Sequence, residues 1–373
     1  MVEAALRGEI SIGTGLEESL TYCLDCRACE SACPSRVKYH RVLEAGRHLL
    51  HSSRPSSLSF ATRQLLRLVK HPSRLRMAIN IGNRLKKFPH PASFQILTPF
   101  LGYAEQEIQP VARQPQSTSP VDFFEGCVMS AQFPDANQAA KNLLARGGLT
   151  VSSPIHQACC GALHLHSGHV EEAKELARQN IEAFETRTVP IVNTAGGCGA
   201  MLMQYDELLT DDVAWAERAR KFSARVRDWA TVFRTVAERV PLQGQNHRVA
   251  LQNSCHLVNV EHAGEDSVKL LQNVPGDTFI PYSGQDRCCG SAGIYNIEHP
   301  DWALAILAEK MDTLESVHPD IIVVNNPGCH LQMRQGAIRR YGNGNMVQHL
   351  AVYLEYAAEK AENRRDGREQ KHA

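Results

Sequence analysis

The sequence predicts an α+β protein in which a small α-helical region carrying four cysteines precedes two tandem α/β domains with parallel sheets. Two observations predict this architecture. Twelve cysteines fall into one compact N-terminal group and two later groups that repeat each other, and around the later groups short apolar runs alternate with segments of helical spacing. Alternating strands and helices form parallel sheets, whose functional loops gather at the carboxyl ends of the strands. The cysteines are therefore expected to carry the chemistry.

Composition narrows the class of protein. With 373 residues, the chain can hold two or three domains with cores of their own. Its 40 basic and 40 acidic side chains balance, which gives no general attraction to nucleic acid or membranes. The sequence has no run of about 18 uncharged apolar residues and no signal-peptide core. These features predict a cytoplasmic protein, in which reduced thiols favour metal binding over the disulfides of a secreted protein.

The N-terminal cysteines follow a ferredoxin pattern. Cys23, Cys26, Cys29 and Cys33 have the spacing C-x2-C-x2-C-x3-C, with Pro34 directly after. In bacterial ferredoxins this spacing wraps thiolates around a [4Fe–4S] cluster, whereas zinc sites usually use separated cysteine pairs. In two-cluster ferredoxins the fourth cysteine binds the other cluster. With a single motif, either Cys33 joins its neighbours on one cluster, or a partner motif is absent or supplied by another chain.

The other eight cysteines form an internal repeat. The first set is Cys127, Cys159, Cys160 and Cys198, and the second is Cys255, Cys288, Cys289 and Cys329. Corresponding cysteines are 128, 129 or 131 residues apart, and NTAGGCGAM in the first set matches NNPGCHLQM in the second. A glycine, Gly161 or Gly290, follows each adjacent pair and would let the backbone pass close to a metal centre.

Strand and helix patterns place these cysteines at one edge of each domain. Apolar runs predict strands at 121–124, 149–151 and 189–192 in the first domain, and at 249–251 and 321–324 in the second. Helical spacing predicts helices at 137–145 and 170–184. All eight cysteines then follow strands, so each domain should bring four thiolates to one sheet edge. Adjacent cysteines seldom bond to each other, but they suit neighbouring ligands of one centre. The alternative is that one or two are merely buried small apolar residues.

These motifs carry a family resemblance. The CCG repeats resemble the cysteine-rich domains of heterodisulfide reductase B-type subunits, of anaerobic glycerol-3-phosphate dehydrogenase C-type subunits, and of the iron–sulfur subunits of lactate-utilisation and glycolate oxidase systems. Within that group, YCLDCRACESACPSRVKYHRVLEAGR and HQACCGALHLHSGH are most similar to the glycolate oxidase iron–sulfur subunit. The resemblance runs from about Leu16 to Leu354.

The resemblance implies an electron-transfer subunit with no catalytic residue of its own. It implies a [4Fe–4S] cluster at the N-terminal motif, and a further iron–sulfur cluster or zinc held by the four cysteines of each CCG domain. Its partners would be an FAD-containing glycolate dehydrogenase subunit, which binds the 2-hydroxy acid, and a quinone or other electron acceptor. The chain would be inactive alone and cytoplasmic, with peripheral contact at the inner face of the membrane as a further hypothesis.

The sequence departs from this family pattern in two places. The glycolate oxidase subunit usually has two ferredoxin motifs, and MVEAALRGEIS resembles the helix that follows the first, so we expect that the upstream motif is missing. Full CCG domains end in C-x-x-C, whereas Cys198 and Cys329 each lack a second cysteine after them. One cluster or one zinc per domain is therefore expected rather than paired clusters. Alternatives are heterodisulfide-type thiol chemistry, a lactate or glycerol-3-phosphate dehydrogenase iron–sulfur subunit, and a zinc-stabilised scaffold.

A basic stretch separates the N-terminal motif from the repeats. Residues 45–104 contain no acidic side chain but ten basic ones: Arg47, Arg54, Arg63, Arg67, Lys70, Arg74, Arg76, Arg84, Lys86 and Lys87. Part of the stretch is amphipathic. It suits either anionic lipid head groups or, as we favour, a helix pair docked on the protein or on an acidic partner.

Histidines crowd the first CCG loop, at positions 156, 164, 166 and 169, and His256 and His330 each follow a cysteine. Imidazole can bind metal, but such histidines more often support the ligands by hydrogen bonds, which is the interpretation favoured here. The expected organisation is a ferredoxin-type region at 1–50, a basic helical connector at 51–118, CCG domains at 119–212 and 247–356, a linker helix at 213–246, and a polar tail at 357–373.

Overall fold

A computed structural model of the protein describes residues 2–11, 13–53, 58–85, 108–110 and 119–372. The N-terminal part of the chain is helical. Its helices are α1 (Val2–Leu6), α2 (Thr14–Thr21), α3 (Ala28–Ser31), α4 (Tyr39–Ser53), α5 (Phe60–Val69) and α6 (Pro72–Leu85). Helices α1, α2 and α4 enclose a small core of their own that includes Leu16, Leu20 and Leu43.

The first half of the repeat is a four-stranded parallel sheet with helices between its strands. Its elements are β1 (Ser119–Phe123), α7 (Cys127–Gln132), α8 (Pro134–Arg146), β2 (Leu149–Ser152), α9 (Ala162–Leu165), α10 (Val170–Phe184), β3 (Ile191–Asn193), α11 (Gly196–Met203), α12 (Tyr205–Leu208), α13 (Ala216–Ser223), β4 (Val226–Asp228) and α14 (Trp229–Arg234). The strand order is β2-β1-β3-β4, with Val121 beside Val151 and Asp122 beside Ile191.

The second half repeats this topology. A 3₁₀ turn (Ala237–Arg239) leads to β5 (Arg248–Gln252), α15 (Cys255–Asn259), α16 (Gly264–Gln272), β6 (Thr278–Phe279), α17 (Tyr295–Glu298), α18 (Pro300–Glu315), β7 (Ile321–Val324), α19 (Pro327–Tyr341), a second 3₁₀ turn (Gly344–Met346), β8 (Val347–His349) and α20 (Leu350–His372). The order is β6-β5-β7-β8, again all parallel. The predicted fold class is confirmed. Each sheet reverses its winding direction at the middle pair of strands, where ligands bind in such folds.

The largest core lies between the two halves and is shared by both. Phe133 and Leu143 from the first half pack in one cluster with Leu350 and Leu354 from the last helix. Asn142 also donates a hydrogen bond to the buried carboxylate of Glu355 at 2.9 Å. The apolar face of α20 therefore covers α8, and the two halves form one unit.

Two expectations about connecting segments were wrong. Residues 213–246 are not one linker helix, because they include β4, which joins the first sheet with Val226 beside Ile191. This strand has three residues and alternates buried and exposed positions, so it gives no apolar run that a sequence pattern could reveal. The polar tail expected from residue 357 is the continuation of α20, in which Ala357 and Ala358 are still buried in the shared core.

The basic connector packs onto the first half through α5 and α6. Leu66, Val69 and Leu75 are buried, and Val69 and Leu75 join the first-half core beside Cys127 and Cys159. The side chain of Arg76 donates a hydrogen bond to the carbonyl oxygen of Ser130. The described part of the connector is therefore docked on the protein, while residues 86–107 and 111–118 lie outside the described residues.

Candidate metal centres

The four cysteines of the first half come together at the carboxyl edge of its sheet. Cys127 begins α7 directly after β1, the Cys159–Cys160 pair lies in the loop after β2, and Cys198 lies in the first turn of α11 after β3. The Sγ atoms of Cys127 and Cys159 are 3.2 Å apart. The thiol of Cys160 contacts those of Cys159 and Cys198. Three strands therefore deliver four sulfur atoms to one place.

The second half repeats the arrangement at its own sheet edge. Cys255 begins α15, the Cys288–Cys289 pair follows β6, and Cys329 lies in the first turn of α19. The Cys288 thiol contacts those of Cys255 and Cys289, and Cys289 also contacts Cys329. All twelve cysteines of the chain are free thiols.

The glycine after each cysteine pair has a left-handed backbone that lies against a helix. Gly161 has φ +90° and Gly290 has φ +89°, which is the left-handed region that favours glycine. A Cβ atom at Gly290 would lie 2.7 Å from the carbonyl oxygen of Ala303, and one at Gly161 would lie 3.4 Å from the backbone of Ala173. The backbone of Gly161 thus lies against α10, and that of Gly290 lies against α18. The sequence had instead suggested that these glycines let the backbone pass close to a metal centre.

The electrostatics of these thiols suit a bound cationic centre. Contact with Cys159, followed by burial, raises the pKa of Cys127 well above its ordinary value. Contact with Cys288, followed by burial, does the same to the pKa of Cys255. Four thiolates packed together away from water repel one another and lose hydration. Metal ions remove this cost, because thiolates are the form that binds metal and the positive charge compensates theirs.

Buried polar side chains fix the first cysteine pair. Asn180 on α10 donates a hydrogen bond to the carbonyl oxygen of Cys159 at 3.0 Å and accepts one from the backbone of Ala158 at 2.7 Å. The hydroxyl of Tyr205 donates to the carbonyl oxygen of Cys160 at 2.8 Å. Neither residue was anticipated from the sequence. The available signal was a polar asparagine on the apolar face of a predicted amphipathic helix.

The ferredoxin-type loop lies beside the second half. Burial raises the pKa values of Cys23 and Cys26. The charge of Cys26 interacts with those of Cys23, Cys29 and Cys255. Asn259 at the end of α15 donates a hydrogen bond to the carbonyl oxygen of Cys26 at 2.8 Å. Cys33 follows two residues after α3 and is half-buried.

Asp25 anchors this loop to both halves at once. Its Oδ1 accepts a hydrogen bond from Arg27 at 2.7 Å, its Oδ2 lies 2.8 Å from Nδ1 of His166, and its carbonyl oxygen lies 2.7 Å from Nε2 of His256. Burial opposes ionisation of Asp25, but His166 and Arg27 outweigh it and hold the pKa of the carboxyl well below its usual range. Asp25, Arg27 and Arg47, which donates to the carbonyl oxygen of Cys23 at 2.7 Å, were not anticipated from the sequence.

The other histidines divide by environment. His164 is 1% exposed, and neither of its ring nitrogens has a hydrogen-bond partner among the described residues. Burial lowers the pKa of His164, and its charge interacts with Cys159. His169 lies 3.2 Å from Glu172, and His156 is exposed. His330 stacks on Phe133, with ring centroids 4.6 Å apart, in the interface between the halves.

One cavity of about 770 Å³ joins all three cysteine groups. It is bordered by Cys23 and by all eight cysteines of the two halves, and it continues between α4, α5 and α6. In the part of the chain that the structure describes, no helix is both long enough and apolar enough to cross a membrane.

Two thiol-lined parallel sheets in tandem define a protein with paired cysteine-rich domains. The family model described as "Cysteine-rich domain" (CCG) matches residues 121–203 and 249–334. A probable glycolate oxidase iron-sulfur subunit of Bacillus subtilis (strain 168) is 36% identical, covering 96% of this chain and 86% of that protein. The glycolate oxidase iron-sulfur subunit of Escherichia coli (strain K12) is 30% identical, covering 96% and 87%. Lactate utilization protein A of an Exiguobacterium species is 29% identical, covering 65% and 99%. The chain belongs to the family of glycolate oxidase iron–sulfur subunits.

Proposed function

We propose that this chain carries electrons from a flavoprotein subunit, which oxidises a small 2-hydroxy acid, to a quinone-type acceptor. Glycolate is the first candidate substrate, because two relatives that are 36% and 30% identical to this chain are named glycolate oxidase iron-sulfur subunits. The chain itself would bind no hydroxy acid and would be inactive without its flavoprotein. We infer these separate roles of the chain and its flavoprotein from the twelve cysteines, which suit one-electron transfer rather than substrate oxidation.

The proposed cofactors are a [4Fe–4S] cluster on Cys23, Cys26, Cys29 and Cys33, and one iron–sulfur centre in each half. When bound, such centres would take up and release single electrons at a potential set by their surroundings. The side chains around them have defined roles. Asn180, Tyr205 and Arg47 hold the cysteine-bearing backbone in place, and the apolar walls limit access of water to the thiols.

The observation that carries this proposal is one cavity that is bordered by the eight thiols of the two halves and by Cys23 of the N-terminal motif. Centres held at its walls would lie close together within one protein, and the interaction of Cys26 with Cys255 supports direct exchange between the N-terminal centre and the second half. A zinc scaffold needs no such proximity. Thiol–disulfide chemistry in the first half would need thiols open to a substrate, whereas Cys127, Cys159 and Cys160 there are 5%, 1% and 4% exposed.

The test is anaerobic purification of the complex with its flavoprotein, followed by iron and acid-labile sulfide analysis and low-temperature EPR. We expect iron and sulfide in comparable amounts and EPR signals that appear when glycolate is added. The matched sample is the isolated iron-loaded chain, which should show signals with dithionite but not with glycolate. Zinc without sulfide, or glycolate oxidation by the isolated chain, would contradict the proposal.

A further inference from the structure

The cavity has an apolar arm that the metal centres leave unexplained. The arm lies between α4, α5 and α6 and is lined by Phe60, Leu65, Leu68, Leu75, Ile79 and Ile81. Two of its apolar lining side chains reach the surface, since Phe60 is 70% and Ile81 is 50% exposed. At the other end it joins the space bordered by the thiols. The arm is therefore a path from an apolar opening to the redox centres.

The arm is held in place at both ends. The N-cap residue of α5, Ser59, donates a hydrogen bond to Glu298 of the second half at 2.7 Å, and Thr62 also donates to Glu298. Helix α6 is fixed to the first half by the buried Leu75 and by the hydrogen bond from Arg76 to Ser130. A pocket built between two bodies that are fixed in this way is formed before its ligand arrives, as is usual for small-molecule sites.

The polar side chains that border the cavity near these helices include Arg47, His51, Gln64 and Glu298. His51 borders the cavity, and its Nδ1 is buried without a hydrogen-bond partner among the described residues. Burial lowers the pKa of His51, and its ring packs on that of His169 in a tilted arrangement, with centroids 3.9 Å apart. Gln64, one turn into α5, also borders the cavity. An imidazole and an amide can each donate a hydrogen bond to a carbonyl oxygen.

The charge around the opening limits what can enter. The described residues 45–53 and 58–85 include no acidic side chain, and Arg63, Arg67, Arg74 and Arg84 on α5 and α6 are exposed. Exposed basic side chains on the two helices that border the arm are complementary to an anionic membrane surface. The ligand should therefore have an apolar tail, one or more carbonyl oxygens, and redox chemistry matched to the thiol-bound centres.

We propose that the apolar arm is a binding site for a quinone with an isoprenoid tail, with the tail between α5 and α6 and the ring beside His51 and Gln64. This inference rests on the proposed function and assigns a location to its electron acceptor. Reduction of the quinone to the quinol takes up two electrons and two protons. The electrons come from oxidation of the hydroxy acid at the flavoprotein and arrive one at a time, and the protons come from water.

The experiment uses the anaerobic complex with its flavoprotein and a photoreactive azido-quinone with a short isoprenoid tail. Labelled peptides are located by mass spectrometry. We expect labelling in the peptides that contain α5 and α6, and its loss when excess unlabelled quinone is present. Ala78→Trp fills the arm and should reduce labelling at least about tenfold, which corresponds to about 1.4 kcal/mol. The matched control, Asn80→Trp, puts the same side chain on an exposed position of the same helix and should leave labelling unchanged.

Two variants of His51 keep the test informative if Ala78→Trp does not fold. His51→Leu keeps an apolar body in the arm but removes the hydrogen-bond donor, so it should weaken labelling, while His51→Gln should retain more of it. Reduction of a water-soluble dye by glycolate, measured in parallel, reports the proposed function and should survive in every variant. Dye reduction with labelling confined to the flavoprotein, or with no displaceable labelling of α5 and α6, would overturn this inference alone. Absence of dye reduction in the unmodified complex would overturn the proposed function.

Discussion

The carboxylate of Asp25 lies 2.8 Å from the imidazole of His166, and this contact joins the ferredoxin-type loop to the first half. Both side chains are largely buried, with 6% and 14% of their surfaces exposed. Replacement of His166 by leucine would leave the carboxylate in the interior with Arg27 as its remaining charged partner. A buried charge that loses a partner costs free energy, because water cannot replace it.

We therefore expect His166→Leu to lower the free energy of unfolding by about 1–3 kcal/mol and to reduce the iron retained by the N-terminal motif. Urea denaturation and iron analysis of the anaerobic protein measure the two effects. His71→Leu is the control, since His71 is exposed at the start of α6. Equal stability and iron content in both variants would show that the Asp25–His166 contact does not hold the loop.

Alanine at the CCG glycines should destabilise the halves unequally. Gly290→Ala combines a left-handed backbone with a Cβ atom 2.7 Å from the carbonyl oxygen of Ala303, so we expect a loss of about 2–3 kcal/mol. Gly161→Ala meets its neighbour at 3.4 Å and should cost less. Gly342→Ala is the control, because it has φ +69° with no atom within 4 Å, and only the backbone term of about 1 kcal/mol applies. Chemical denaturation gives the ranking, and identical losses at all three positions would refute the steric explanation.

Cysteine variants should separate the two halves spectroscopically. Cys255→Ala removes a thiol whose charge interacts with Cys26, so the EPR signal of the proposed N-terminal cluster should shift along with that of the second half. Cys127→Ala is the matched change in the first half, where Cys127 contacts Cys159. It should alter only the first-half signal. The same N-terminal response to both changes would remove the argument that this cluster communicates directly with the second half.

Acid should weaken the contact between the halves through His349. This residue is 1% exposed, its Nε2 lies 2.9 Å from the carbonyl oxygen of Thr194, and its Nδ1 accepts a hydrogen bond from the backbone of Ala351 at 3.2 Å. Burial lowers its pKa to about 4, below the ordinary value of 6.5. The folded state thus binds the proton less readily than the unfolded state, so stability is full above pH 6.5 and falls as the pH drops toward 4.

Denaturation midpoints measured from pH 7 to pH 4 test this expectation. His349→Gln keeps a donor toward Thr194 but cannot titrate, so its stability should fall less steeply over the same range. An exposed histidine offers the control, and His71→Gln should leave the pH dependence as it is in the unmodified protein. A profile for His349→Gln that matches the unmodified protein would assign the acid sensitivity to other groups.

The sequence predicted the fold where apolar runs were long enough to be recognised. The runs near Val121, Val249 and Ile321 are central strands of their sheets, and the repeat correctly predicted that eight thiols gather at two sheet edges. Short strands were not predicted, because β4 and β8 have three residues each and contain polar side chains. Such strands form because they pair with the edge of the neighbouring sheet. A local sequence pattern contains no information about that pairing partner.

The connections among the three cysteine groups could not be predicted either. They depend on Asp25 and Arg47, whose partners lie far away along the chain or on the backbone. The sequence gives no reason to single out an aspartate between two cysteines. Only the folded chain shows that the side chain of Asp25 contacts the first half and that its carbonyl oxygen contacts the second half. The metal ligands remain predictions from cysteine spacing, to be tested by the metal analysis described above.

The packing of α20 on α8 makes the first half depend on a helix that belongs to the second half. Helix α20 covers the apolar face of α8, and Glu355 accepts a hydrogen bond from Asn142, which lies 213 residues earlier in the chain. A fragment that ended between the two repeats would leave this face exposed to water, and exposed apolar patches promote association between chains. The two cysteine-rich repeats are therefore not interchangeable modules that can be separated by cutting the chain between them.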